Sequence, residues 1–495
     1  MDVTRSNLIG GEMLNWSDLH PADARPAAAG AAAAALLAAV LQPTDSVLIA
    51  GPHAAELVLA TAAQVTSTDL LVRSALDAEE LAEQLQDTKG EIFCGSLDWF
   101  PDAPHTPQTG LGQREAQTGG VILPTPAGGP PQTGLGAGYD VIVALDGLGR
   151  LVGPDTAELP WGEALRRLTS RLRPGGRLLL GAENAFGFQR LIQPDITAAL
   201  PRDEDWGRAL TDQPPAGLKP LLNSLTETGP VQVLAVFPSL VQAEVAMGSV
   251  DGFAGAVAAR AVASCNQGPV LTDPYRLVLD AADAGLALEL APAWYFVMGT
   301  EAPTTLPAGV VPSGEGMLLE EQLLAALKFD DQAALRRAIP AYVAWLAAGG
   351  AGSPDNVIVD GTSYRLFGEP QNLDVVEHLA RFAKRALESG ARQPWPAAAD
   401  PHALTARLAA MAGITVPEPD FTPDEVVRPR GSAEQLTTVA RLADELAHAS
   451  ARAILFEGTV SGIRRSRPYR VGHAVMNPAR VIRRRLKRVL RKVRR

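Results

Sequence analysis

Several polar side chains able to bind a ligand or move a proton stand directly behind short apolar runs. Gly51-Pro52-His53 follows Val47-Leu48-Ile49-Ala50, and Arg73-Ser74 follows Leu70-Leu71-Val72. Ser96, Asp98 and Trp99 come just after Ile92-Phe93-Cys94, Asp146 closes the run Tyr139 to Leu145, and Glu183-Asn184 lies just past Arg177 to Gly181. Ligands of an open parallel sheet bind beyond the carboxyl ends of its strands, so these positions are candidates if the runs are strands. Carboxylates there can accept hydrogen bonds or take a proton. His53 can act as a base near neutral pH, although a solitary loop histidine is more often simply solvated. Cys94 and Cys265 are the only cysteines and the seven histidines show no ligand spacing, which excludes a disulfide framework and a Cys/His metal site within one chain.

The elements that must hold these residues are legible from the apolar pattern. Strands are expected at Ser46 to Ala50, Asp69 to Val72, Ile92 to Cys94, Tyr139 to Leu145 and Arg177 to Gly181, alternating with helical stretches as in a parallel sheet with crossover helices. Tyr139 to Leu145 is β-branched and almost continuously apolar, the pattern of a strand covered on both faces. Leu165, Leu168 and Leu172 fall on one helical face, and Pro174-Gly175-Gly176 then stops that helix. A helix near Leu218 to Thr228 and strands at Val231 to Phe237 and Gln242 to Met247 complete the sheet.

Three of these pieces together resemble a class I S-adenosylmethionine-dependent methyltransferase: Val47-Leu48-Ile49-Ala50-Gly51, Tyr139 to Asp146, and Leu168 through Pro174-Gly175-Gly176 to Leu180. The resemblance covers roughly residues 45–250 and implies an α/β fold with a doubly wound, mostly parallel Rossmann-like sheet. It implies S-adenosylmethionine as cofactor, with Gly51, His53, Arg73, Ser96, Asp98 and Asp146 around it. In that family the loop after the first strand carries several glycines, whereas here only Gly51 stands and Pro52 removes a backbone donor. An acid at the end of the second strand would accept from both ribose hydroxyls. Asp69 precedes Arg73 and Asp77 follows it, and Asp77 also reads as the cap of the next helix. Arg73 in that slot keeps open an NADP-dependent enzyme selecting a 2'-phosphate, although G-x-G-x-x-G is missing. Asp98 resembles the adenine-facing acid with Trp99 beside the ring, or else the pair is a turn and a buried aromatic. Asp146, Glu183 and Asn184 are the candidates beside an undetermined methyl acceptor. Methyl transfer requires mainly alignment, so no diagnostic catalytic signature is expected. A non-catalytic methyltransferase-like interaction module is the alternative function.

The domains expected are a helical segment (1–44), the methyltransferase-like domain (45–250), an accessory mixed α/β region (255–430), an amphipathic helix (431–460) and a basic tail (461–495). Within the second of these, 101–138 reads as a low-complexity insertion carrying Gln-Thr-Gly-Leu-Gly twice, either filler or a lid. The accessory region is expected to hold strands at Tyr275 to Leu279 and Tyr295 to Val297, and helices at Met317 to Lys328, Gln332 to Leu346 and Leu373 to Leu387. It also holds a hairpin turning at Asp360-Gly361. Pro354 to Asp360 superficially matches the loop of small-molecule phosphotransferases, but Ala351 and Leu366 stand where that chemistry needs carboxylates.

Net charge is -11, yet 464–495 holds 14 Lys and Arg and no acid, so the other 30 basic residues face all 55 acidic ones. Val481, Ile482, Leu486, Val489, Leu490 and Val493 form one stripe between the tail's cations, which suits an anionic membrane surface or anionic polymer. Nucleic acid and a plain solvated tail are the other readings, with acidic bulk elsewhere arguing against a nucleic-acid groove. The Ala-rich stretch Ala27 to Val40 is too short to span a bilayer and reads as a buried helix. No signal peptide or membrane span is recognised, so the protein is expected in the cytoplasm, peripheral at the inner membrane face.

Overall fold

The computed structural model describes residues 6–20, 25–86, 88–101, 138–153, 159–193, 215–226, 229–266, 268–391, 394–395, 400–417, 429–466, 468 and 471. The insertion expected at 101–138 and the basic tail therefore lie almost wholly outside the described residues. By internal contacts the chain divides into Met1–Gly431 and Ser432–Arg495.

Apart from a smaller three-stranded sheet farther along the chain, the first unit is built around a ten-stranded sheet. Its strands are β1 (Ser6–Gly10), β2 (Ser46–Ala50), β3 (Ser67–Val72), β4 (Ile92–Gly95), β5 (Tyr139–Ala144), β6 (Leu172–Glu183), β7 (Val231–Phe237), β8 (Val245–Met247), β9 (Ala293–Met298) and β10 (Thr305–Leu306). Across the sheet they run β1-β4-β3-β2-β5-β6-β9-β7-β8-β10. Pairing is parallel from β1 to β6 and antiparallel at β6-β9, β9-β7, β7-β8 and β8-β10. The doubly wound α/β architecture read from the sequence is present.

Alternation of side chains explains why the sheet is covered twice. Val47, Ile49, Val141, Val143 and Leu179 enter one core with α1 (Ala31–Val40), α2 (Ala55–Gln64) and α3 (Ala75–Gln84). Leu48, Ala50, Ile142, Ala144, Leu178 and Leu180 enter the other, with α4 (Trp161–Thr169), α5 (Phe188–Ile192), α6 (Leu218–Thr226), α7 (Phe253–Cys265) and α8 (Pro274–Asp283). The apolar stretch before Val40 is the buried helix α1, with Ala32, Ala33, Leu36, Leu37 and Val40 inside.

Several local expectations are corrected. Leu172 opens β6 rather than ending α4, and Pro174-Gly175-Gly176 forms an irregularity within that strand, with Gly175 at φ +78°. Tyr275 to Leu279 is helical, because the Asp273 side chain accepts from Tyr275 N at 2.9 Å and Pro274 occupies the first helical position. Tyr295 to Val297 is a strand, β9, but it pairs inside the main sheet instead of within the following region. Residues 6–10, expected in a helical segment, form the edge strand β1.

The remainder of this unit contains β11 (Met317–Leu318), α9 (Leu319–Lys328), α10 (Gln332–Ala347), the hairpin β12 (Val357–Asp360) and β13 (Ser363–Leu366), α11 (Val375–Glu388) and α12 (Pro401–Met411). Its own core includes Leu323, Ile339, Tyr342 and Phe382, while Leu318, Ile358 and Phe367 join the core under the main sheet. In the second unit, α13 (Ser432–Arg465) is a single long helix on which the expected stripe Leu436, Val439, Leu442 and Leu446 is exposed.

Candidate functional site

Because β2 to β6 run parallel, the loops after them meet along one edge, as the sequence predicts. Gly51 turns out of β2 at φ +86°, a conformation suited to glycine, and a Cβ there would lie 3.3 Å from the Leu151 side chain. His53 is only 3% exposed. Leu145 N donates to its Nε2 at 3.0 Å, so the proton resides on Nδ1, which donates to Gly51 O at 3.0 Å. Burial lowers the His53 pKa and keeps the ring neutral. His53 is thus a strut joining the ends of β2 and β5, with neither nitrogen left for a substrate proton.

The chain between β1 and α1 lies across this edge as a strap, described at residues 11–20 and 25–30. Met13 N donates to Arg73 O at 2.7 Å, Ala75 N donates to Met13 O at 3.0 Å, and Ser74 Oγ donates to Trp16 O at 2.6 Å. Asp18 then pairs with Arg73 through Nε at 2.8 Å and Nη2 at 2.9 Å, and also accepts from Trp16 Nε1 at 3.0 Å. Burial by itself would raise the Asp18 pKa, but the Arg73 guanidinium outweighs it and holds the carboxyl below its usual range. Ser74, not Asp77, caps α3, accepting from Asp77 N at 3.1 Å. The Asp77 carboxylate accepts instead from Ser17 Oγ at 2.6 Å, Asp18 N at 2.7 Å and Leu19 N at 3.2 Å. Farther along, Ala28 N donates to Pro52 O at 3.3 Å and Ala54 N to Ala28 O at 2.9 Å.

The acceptor-side candidates are engaged as well. Asp146 is gripped by Arg150 at 2.6 and 2.8 Å and accepts from Arg25 Nη2 of the strap at 2.9 Å. Arg25 Nε also pairs with Glu183 at 3.3 Å, and Arg150 donates to Arg25 O and Pro26 O, both at 2.8 Å. Asn184 spends its amide on Glu289 O and Ala291 O, each at 2.9 Å, and its Oδ1 accepts from Phe186 N at 3.0 Å. The structure therefore brings Asp146 and Glu183 together through Arg25, and ties Asn184 to backbone.

Ser96 and Asp98 stand apart from this network. Ser96 N donates to Gly10 O at 2.8 Å, and its buried hydroxyl makes no hydrogen bond. Asp98 O accepts from Arg167 Nη1 at 3.2 Å, while its Oδ1 is buried without a partner. Trp99, expected either beside a ring or buried, is 60% exposed and lies against Gly10. Between strap and sheet remains a cavity of about 10 Å³ lined by Asp18, Gly51, His53, Val72, Arg73 and Asp77. That is room for about one water, whereas ligand pockets measure roughly 300–1,000 Å³. Among the described residues, with the strap in place, the edge does not fit S-adenosylmethionine. Asp18, Arg25 and Leu151 escape sequence reasoning, since none has a spacing that marks it; Arg150, four residues after Asp146, is the one legible partner.

The strands run β4-β3-β2-β5-β6 in parallel, followed by β9 antiparallel between β6 and β7, whereas a dinucleotide-binding sheet of order 3-2-1-4-5-6 stays mostly parallel. The fold is a doubly wound, Rossmann-like α/β sheet. No protein-family model and no curated protein matches the chain. Among solved structures it is similar to a SAM-dependent methyltransferase from Geobacter sulfurreducens in complex with S-adenosyl-L-homocysteine, at 16% identity and TM-score 0.23, over 54% of this chain and 88% of that one. It is similar also to YjhP from E. coli, at 15% identity and TM-score 0.22, over 52% of this chain and 85% of that one.

Proposed function

We propose that this protein is an S-adenosylmethionine-dependent methyltransferase whose cofactor edge is closed by residues 11–20 and 25–30 of its own chain, so that cofactor entry requires the strap to leave. The observation that carries this reading is the seat of Ser17 and Asp18 on Asp77, in the first turn of α3 just beyond β3. The methyltransferase resemblance assigns an acid at the end of the second strand to the two ribose hydroxyls; Arg73 holds that slot here, and Asp77 is the acid that follows it. Ser17 Oγ and Asp18 N offer the same carboxylate a hydroxyl and an amide donor, so strap and ribose compete for one acceptor. Arg73, the residue behind the NADP reading, has its fork turned onto Asp18 and is not presented to a 2'-phosphate. No transfer step is assigned to Asp146, Glu183 or Asn184, because arginines hold the first two and backbone groups the third.

A second reading, the non-catalytic interaction module, is favoured by Leu151 over Gly51 and by His53 locked between β2 and β5, since neither belongs to the strap. Calorimetric titration with S-adenosylhomocysteine separates the two, using the full chain and its Asp18→Ala variant. A gated site binds the variant more tightly by roughly the reciprocal of the open fraction, about two orders of magnitude if opening costs about 3 kcal/mol. Binding to neither protein refutes the methyltransferase reading and leaves the interaction module. Equal binding to both refutes the gate.

A further inference from the structure

A separate cavity of about 390 Å³ opens where α7, α8, α9 and α11 meet the turn at Pro354–Asn356, away from the strapped edge. That volume is of ligand size. Its walls carry Arg260, Arg381, Lys384 and Arg385 against Glu320, Asp355 and Glu388.

Most of these charges have identifiable partners. Arg385 pairs with Asp273 at 3.1 Å and Glu320 at 3.2 Å, and Arg381 pairs with Asp355 at 2.8 Å. Arg260 differs: its guanidinium carbon lies 3.9 Å from the Phe367 ring centre, and its buried Nη2 makes no hydrogen bond. The Tyr275 hydroxyl, on a side chain 5% exposed, faces that guanidinium at hydrogen-bonding range, but neither Arg260 Nη2 nor Tyr275 Oη completes a well-aligned hydrogen bond. Burial draws the Arg260 pKa down, outweighing the opposite pull of Tyr275, Asp355 and Glu320. Burial also lifts Glu320 to about 7, so this acid carries less than a full negative charge near neutrality.

A buried cation and a buried phenol that satisfy each other only with poor geometry cost stability unless something else engages them. We propose that this cavity binds a small molecule through a phosphate or carboxylate group, whose oxygens accept from Arg260 Nη2 and Tyr275 Oη. Asp355 lines the same cavity with its Oδ1 buried and lacking a donor, so the ligand presents an N–H or O–H beside its anionic group. Guanidinium forks match the geometry of both oxyanions.

The test is calorimetric titration of the full chain with sodium phosphate and, separately, with sodium malonate, at ionic strength held constant with chloride. The expected result is saturable binding of at least one anion, weakened about tenfold or more in Arg260→Gln, the loss of one charge-assisted hydrogen bond. Arg260→Lys is expected to retain part of the affinity. Tyr275→Phe, which removes one oxygen from a group that already lacks a well-aligned partner, is expected to weaken binding several-fold and serves if the Arg260 variants fail to fold. Binding of phosphate alone assigns a phosphate group, and binding of malonate alone a carboxylate. No saturable binding of either anion to the natural chain, or equal affinity in Arg260→Gln and Tyr275→Phe, overturns the site.

Discussion

Replacing Asp18 by alanine removes the ion pair that holds the strap to the end of β3. Both partners are shielded, with side chains 4% and 8% exposed, so water cannot take the place of the carboxylate while the strap stays down. Breaking a buried pair by deleting one partner costs about 3–5 kcal/mol, chiefly because the other charge remains buried and unpaired. The chain has a cheaper response. If residues 11–20 lift away, Arg73 regains water, and the cost becomes that of the bonds Asp77 makes to Ser17, Asp18 and Leu19, about 1 kcal/mol each. Asp18→Ala is therefore expected to act locally: global stability in urea falls by about 3 kcal/mol, and amide exchange of Met13 and Leu19 accelerates by about two orders of magnitude. The pH dependence has a definite sign. Asp18 has a folded pKa below its unfolded value near 3.8, so its contribution is present above that value and is lost as pH falls through the folded one. Asp77, raised by burial, takes its proton earlier and slopes the other way, favouring the fold as pH falls. Strap exchange in the natural chain should consequently rise steeply only below about pH 4. Hydrogen exchange read by mass spectrometry decides the matter. Unchanged protection of residues 11–20 in Asp18→Ala, with stability altered by less than about 0.5 kcal/mol, would refute the pair as the anchor.

Two other perturbations address residues singled out in the sequence. His53→Ala leaves Leu145 N–H buried without an acceptor and should cost about 1–3 kcal/mol in denaturant; a loss near zero would mean that the strut between β2 and β5 is not made. Deleting 464–495, proposed to meet anionic surfaces, should reduce sedimentation with phosphatidylserine-containing liposomes at low salt, and unchanged sedimentation would remove that proposal.

Much of the scaffold is legible because its signals are local. The run from Tyr139 to Leu145 alternates between two cores and needs no distant information to be read as a doubly covered strand. The loops after β2 to β5 are located by the same runs, so Gly51, His53, Arg73 and Asp146 are found on the right edge. Local signals also mislead where capping overrides β-branching: Asp273-Pro274 sets Tyr275 to Leu279 as a helix. They are silent on pairing, since β9 is recognisable as a strand while its place between β6 and β7 depends on partners more than a hundred residues from β6.

The state of the site was decided by contacts between segments remote in sequence. Asp18 meets Arg73 across 55 residues and Arg25 meets Asp146 across 121, and neither pair obeys a helix or strand period. Sequence determined by itself that an α/β sheet would present a polar edge, because strand and turn preferences act over a few residues. Only tertiary structure decided that the chain's own strap would cover that edge, because burial brings a charge to whichever distant partner can neutralise it.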